Sequence, residues 1–257
     1  MNVEYNPADV LPTGGAVHRG DIDGALDSLR WVADRMRSQG DARAIFPDIY
    51  AIITQNVRDA LTQGYFLEPK FISTLAGCFA GQYLETLAHS LTGTAQDSSA
   101  WGLAYQRAAA AEALPVEHAA LGISAHINYD LALGIYQTIL RLGIDKDAEA
   151  LARFKRDHDA VNDLLEKSLP ECLERLMGTY SCQATPLLTG AFRRFAHRRI
   201  MSMLCRWRER VWENVLALLG AETDEARQLV VEKMGRTALR EGQVMSALCR
   251  TSRALVH

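Results

Sequence analysis

Apolar residues recur three and four positions apart along most of the chain, and no stretch alternates strictly between apolar and polar before a tight Asn-Gly or Asp-Gly turn. That period is helical. It predicts an all-α protein, a single-domain bundle of about eight helices around one central buried helix. Asp21 or Asp23 caps a first helix running through Leu26, Leu29, Val32 and Met36 to Gly40. Asp41 starts a second, with Ile45, Ile49, Ile52, Ile53, Val57 and Leu61 on its inner face and Gly64 as its stop. A third runs from Pro69 to His89 and a short fourth from Trp101 to Glu112, separated by a loop of polar composition at 91–99. Later helices span Lys146 to Leu169, Leu187 to Leu219 and Asp224 to Leu255, with a second loop at 178–186. Residues 1–20 read as a poorly ordered or extended start to a single domain, 1–257.

One segment departs from the amphipathic pattern. Residues 116–141, entered at Pro115 and closed by Gly143, are apolar all round: Leu121, Ile123, Ile127, Leu131, Leu133, Ile135 and Ile139. A helix without a water-facing stripe is a buried one. Yet it contains Ala125-His126-Ile127-Asn128-Tyr129-Asp130-Leu131, which takes an imidazole, an amide and a carboxylate out of water. Such groups cost free energy unless each finds a partner, so the cluster is either a structural network or a site.

His126 and Asp130 stand four apart, where a carboxylate can accept from one imidazole nitrogen, fix the tautomer and raise the basicity of the other. That suits a general base; the plainer reading is an intrahelical pair on a core helix. A second histidine, His158, falls on the narrow apolar seam Leu151, Phe154, Val161, Leu165 of the helix that follows, with Asp157 and Asp159 beside it. Together His118, His126, Asp130 and His158 offer nitrogen and oxygen ligands for zinc or another divalent metal. The fit is loose, because His118 lies eight residues from His126 and no HExxH completes a set.

Cations punctuate the helix after residue 187: Arg193, Arg194, His197, Arg198, Arg199, Arg206, Arg208 and Arg210, among Phe192, Phe195, Met203, Leu204, Trp207 and Trp212. Most suit a solvated face paired with neighbouring acids; Arg199 and Arg206, at the edge of the apolar face, are chosen as candidates to hold an anionic group. The aromatic residues are read mainly as core, with Tyr83 and Tyr129 carrying hydroxyls that could meet a ligand.

Composition narrows the classes without naming one. Apolar residues make up 48% of the chain and the net charge is −3, so nothing in the balance calls for nucleic acid or an anionic membrane. The five cysteines, Cys78, Cys172, Cys182, Cys205 and Cys249, are odd in number and scattered, which argues against a disulfide framework or thiolate zinc site and for a reducing, cytoplasmic setting. No run approaches the roughly 20 apolar residues of a membrane span. No GxGxxG or GxxxxGK[ST] is present to bind a nucleotide.

The block LGISAHINYDLAL resembles the signature LGxNAHIN-x-DLxxAL of an uncharacterised family of helical bacterial proteins, a domain of unknown function. Phe46 to Leu87 is similar to that family's F-x-x-x-Y-x-x-x-T … G-x-F-x-D-P … L … F-A-x-x-Y pattern. His158-Asp159-x-Val161-Asn162-x-x-Leu165 resembles its later Val-Asn element, and Trp207-x-x-Arg210-Val211-Trp212 its closing aromatic-basic helix. Ser124 stands where the family usually has Asn, and Glu68 where it has Asp. The resemblance implies a helical fold and marks the site region, but no reaction.

From these readings a small-molecule enzyme is expected, its interior pocket lined by His126, Asn128, Tyr129, Asp130 and His158, running acid/base chemistry without a cofactor. Elimination, isomerisation and intramolecular cyclisation in specialised metabolism fit that description, with an arginine stabilising a developing anion. The alternatives are a zinc-dependent hydrolase on His118, His126, Asp130 and His158, and a non-catalytic binding or partner subunit; either could form homo- or hetero-oligomers.

Overall fold

The structure, a computed structural model, describes residues 10–11, 20–93, 98–110, 113–180 and 191–254, with the side chains of 191–196 and 252–254 excepted. Among these every regular element is helical. The helices are α1 (Ile22–Ser38), α2 (Ile45–Thr62), α3 (Pro69–Leu91), α4 (Ala100–Ala109), α5 (Pro115–Ala125), α6 (Leu131–Leu142), α7 (Ala148–Thr179), α8 (Ala191–Gly220) and α9 (Asp224–Ala254). A single π-helical turn, His126–Asp130, joins α5 to α6, so the two form one interrupted central helix. Counted that way, the described residues make a bundle of eight.

Local chemistry sets the ends. Asp21 caps α1 by accepting from the Gly24 amide at 2.9 Å, Ser99 caps α4 through Gly102 at 2.9 Å, and Asp147 caps α7 through Ala150 at 2.9 Å. Asp41 caps a short 3-10 turn, Ala42–Ala44, that leads into α2. Gly143 ends α6 in the left-handed conformation at φ 67°, which a side chain resists. Asp157, buried on α7, accepts from the Leu67 and Glu68 amides at 2.8 and 2.6 Å and so anchors the α2–α3 connection.

Three expected boundaries differ. The short α4 stops at Ala109. α7 continues ten residues beyond the expected Leu169, through Pro170, to Thr179. Cys172 and Leu176 are buried with Ile45, Ile49 and Ile52 of α2, and this packing offsets the amide that proline lacks. The central helix carries the π turn, which no period in the sequence announces. The expectations for 1–9, 12–19, 94–97 and 181–190 lie outside the described residues.

The central helix is buried along its middle, but Val116, Gln137, Leu140 and Arg141 are exposed, so the expected burial all round does not extend to its ends. Leu131, Ala132, Ile135 and Ile139 join Phe71, Phe154, Trp207, Val211 and Val215 in the largest apolar cluster. Leu121 and Ala125 face a second cluster, with Leu29, Met36, Tyr83 and Trp101. Among the described residues no helix is long and apolar enough to cross a membrane. Cys78, Cys172, Cys205 and Cys249 are free thiols; Cys182 lies outside the described residues.

Candidate functional site in the bundle interior

The π turn holds the polar cluster. Its widened ring is closed by the Leu131 amide donating to the His126 carbonyl, five residues back, and single π turns of this kind recur at functional sites. His126 is 3% and Asp130 1% exposed. His126 Nδ1 lies 2.8 Å from Asp130 Oδ2, and the same oxygen accepts from Trp101 Nε1 at 3.0 Å. His126 Nε2 is buried and has no partner. Burial lowers the His126 pKa well below the usual imidazole value and keeps the ring uncharged. Burial also raises the Asp130 carboxyl well above its usual range, against the opposing pull of the Trp101 donor.

Aromatic rings fix this imidazole. Phe79 stacks flat on it, centroids 3.4 Å apart and planes 6° from parallel. Tyr50 and Phe46 meet it edge-on at 4.5 and 5.3 Å. Phe46 reaches it only because residue 122 is glycine: a Cβ there would lie 2.5 Å from the Phe46 ring.

Beside His126 lies a cavity of about 300 Å³, walled almost entirely by apolar side chains of α2, α3, α5 to α9 and the π turn. Such a volume stands at the lower end of small-molecule sites. His126, His158, Arg208 and Tyr50 line it; Asn128, Tyr129, Asp130 and Tyr83 do not. Four expected pocket residues therefore stand behind the wall. Asn128 turns back along its own helix, donating to the Ser124 carbonyl at 3.0 Å and to Ser124 Oγ at 3.3 Å. Tyr83 is buried in the second apolar cluster, edge-on to Phe46 and tilted against Trp101. Tyr129 packs toward Gly235 of α9. Asp130 acts on the cavity only through His126.

At a different point of the wall stands His158. Its Nε2 lies 3.1 Å from the Arg208 carbonyl, which can only accept, so Nε2 carries the proton and Nδ1 the lone pair. Nδ1 in turn accepts from Arg208 Nη2 at 3.2 Å, and the same Nη2 donates to the His158 carbonyl. Burial and the adjoining guanidinium hold His158 neutral, its pKa well below the usual value. Arg208 itself is 6% exposed, and its Nε has no partner. Burial lowers its pKa to about 10, which still leaves it charged at neutral pH.

Arg208 lines the cavity, and the two arginines chosen from sequence do not. Arg199 and Arg206 are exposed, and Arg206 donates to Ser202 Oγ at 3.1 Å. The face of α8 toward the cavity carries Ile200, Met203, Leu204, Trp207 and Arg208. A sequence signal existed: Ile200, Leu204, Arg208 and Trp212 form one i, i+4 row with an arginine inside it.

The expected zinc set is not assembled. Among the described residues no three His, Cys, Asp or Glu side chains are grouped to hold a metal ion. Both nitrogens of His158 are committed to Arg208, a cation, and His126 Nδ1 is committed to Asp130. His118, buried beside Glu117, does not line the cavity and leaves Nδ1 without a partner.

Fold and site together define an all-helical bundle that keeps an imidazole–carboxylate pair and an arginine beside an apolar interior cavity. The chain matches the profile of the Family of unknown function (DUF5995) over residues 22–248, and it belongs to that family. No curated protein and no solved structure matches the chain.

Proposed function

We propose that the protein is a small-molecule enzyme whose interior cavity binds a largely apolar substrate and in which His126 is the acid/base group. The observation that carries this reading is His126 itself: Nδ1 tied to Asp130, Nε2 buried and unpartnered, and the ring on the cavity wall. A buried nitrogen without a partner is costly for stability alone and useful if a ligand meets it. Asp130 orients the imidazole, and Trp101 orients Asp130. When Nε2 takes a substrate proton, the Nδ1 proton can pass to Asp130, whose proton affinity burial raises, so no isolated cation forms in the dry interior. Elimination, isomerisation and intramolecular cyclisation need such proton movement and no bulk water.

Incubating a small-molecule extract of the source cells with wild-type protein, His126→Gln and Asp130→Asn, and following masses and retention times, tests this. A substrate peak should fall and a product peak rise with wild type, vanish with His126→Gln and slow by two orders of magnitude or more with Asp130→Asn, about 10²-fold being typical of a lost acid/base group. Identical profiles for wild type and His126→Gln would sink the catalytic reading.

A second reading, a non-catalytic carrier of an apolar compound, is favoured by the wall itself, since among the described residues no carboxyl group lines it. Ligand depletion without any new product, equal in wild type and His126→Gln, is its signature.

A further inference from the structure

Arg208 is a buried guanidinium on an apolar wall and, among the described residues, has no hydrogen bond to a carboxylate. Among the described residues its hydrogen bonds go to the His158 carbonyl and to His158 Nδ1, both neutral acceptors. Asp159 and Glu209 are the acids whose charge it feels most, and both are bound to Lys155, at 2.7 and 3.0 Å. Its Nε is buried without a partner. A charge held out of water in this way is expensive unless an opposite charge arrives.

We infer that the cavity's ligand has an apolar body and a single carboxylate, and that the carboxylate docks on the Arg208 guanidinium while the body fills the apolar space leading to His126. This rests on the reading of the cavity as the substrate site. A planar carboxylate matches the guanidinium fork, and Nε supplies a donor that nothing else uses. Among the described residues, Arg208 is the one arginine or lysine that lines the cavity. A phosphate monoester, close to doubly charged at neutral pH, would therefore bring an unbalanced charge into the interior. His158 is then a positioning residue: its lone pair and carbonyl aim Nη2, and its neutrality leaves the guanidinium charge for the ligand.

The test uses full-length protein and calorimetric titration with dodecanoic acid, dodecanol, dodecylamine and dodecyl phosphate, which share one chain and differ in the head. Dodecanoic acid should bind at least about tenfold more tightly than dodecanol or dodecyl phosphate, with dodecylamine the weakest. Arg208→Met should bind acid and alcohol equally, and Arg208→Lys should keep a reduced preference for the acid. Absence of acid binding to wild type, equal affinity for acid and alcohol, preference for the phosphate, or a preference for acid that survives in Arg208→Met would each overturn the inference. The wild-type comparison decides even if Arg208→Met does not fold. Ring resonances of His126 followed in the same titration separate the two readings: preferred acid binding with those signals unmoved upholds Arg208 as the docking group and removes His126 from the chemistry.

Discussion

Two buried histidines line the same cavity, and their partners make them opposites. His126 faces a carboxylate through one nitrogen and keeps the other free; His158 faces an arginine and has neither nitrogen to spare. Burial strips both of charge. An acidic partner nonetheless leaves an imidazole poised to exchange a proton, whereas a cation together with a carbonyl acceptor locks it into one tautomer. Burial and position alone, then, do not distinguish a histidine with a free nitrogen from one with both nitrogens engaged. The identity of the second group does.

The comparison breaks most visibly in stability. His158→Leu removes the acceptor of Arg208 Nη2 and the donor to the Arg208 carbonyl, leaving a buried cation less well satisfied, and is expected to cost about 3–4 kcal/mol in denaturant unfolding. His126→Phe keeps the stack on Phe79 and leaves Trp101 on Asp130, so its cost should stay near 1 kcal/mol while activity is lost. Equal costs for the two substitutions would contradict the division of roles.

Acid sharpens the same contrast. The pKa values of His126, His158 and His118 are all lowered in the folded state, chiefly by burial. Their neutral forms therefore favour folding above the unfolded value of about 6.5, and that contribution is lost as pH falls below it, because only the unfolded chain takes up the protons. Asp130 works the other way, because burial raises its pKa and so opposes part of that loss. With three histidines lowered against one carboxyl raised, stability should fall as pH drops through the unfolded histidine value. Denaturant melts from pH 7 to 5 measure it. Substituting His158 with Leu should make that fall shallower, and an unchanged fall would mean that His158 is charged in the folded protein.

Much of the fold is legible in the apolar period, because helices bury one stripe and the stripe is written in the sequence. The central helix stands out by lacking a polar face, and the His126–Asp130 pair by its spacing of four. What the sequence conceals depends on contacts between distant segments. Phe79 and Trp101 reach the π turn from other helices, and α7 passes through Pro170 because Cys172 and Leu176 are buried against α2. Asn128 looks like a site residue by composition; its Nδ2 donates to Ser124 one turn back, and its Oδ1 is buried without a partner. Arg208 is hidden in the sequence for a geometric reason: charge suggests the solvent edge, where Arg199 and Arg206 lie, while the row through Ile200, Leu204 and Trp212 carries Arg208 inward.

The smallest change that separates the two histidines is at Gly122, which touches neither. A methyl group there would meet Phe46 at 2.5 Å from Cδ2 and 2.7 Å from Cγ, and the ring must move. Phe46 packs edge-on against His126, Tyr83 and Trp101, so its displacement loosens the cage around the first histidine. Overpacking of this kind costs about 1–3 kcal/mol. His158 is held by α7 and α8 and should be left as it is. Gly122→Ala is therefore expected to shift the ring resonances of His126, to weaken turnover and to leave those of His158 in place. Displacement of both sets of signals would mean that the cavity deforms as one body, and the two histidines would lose their independence.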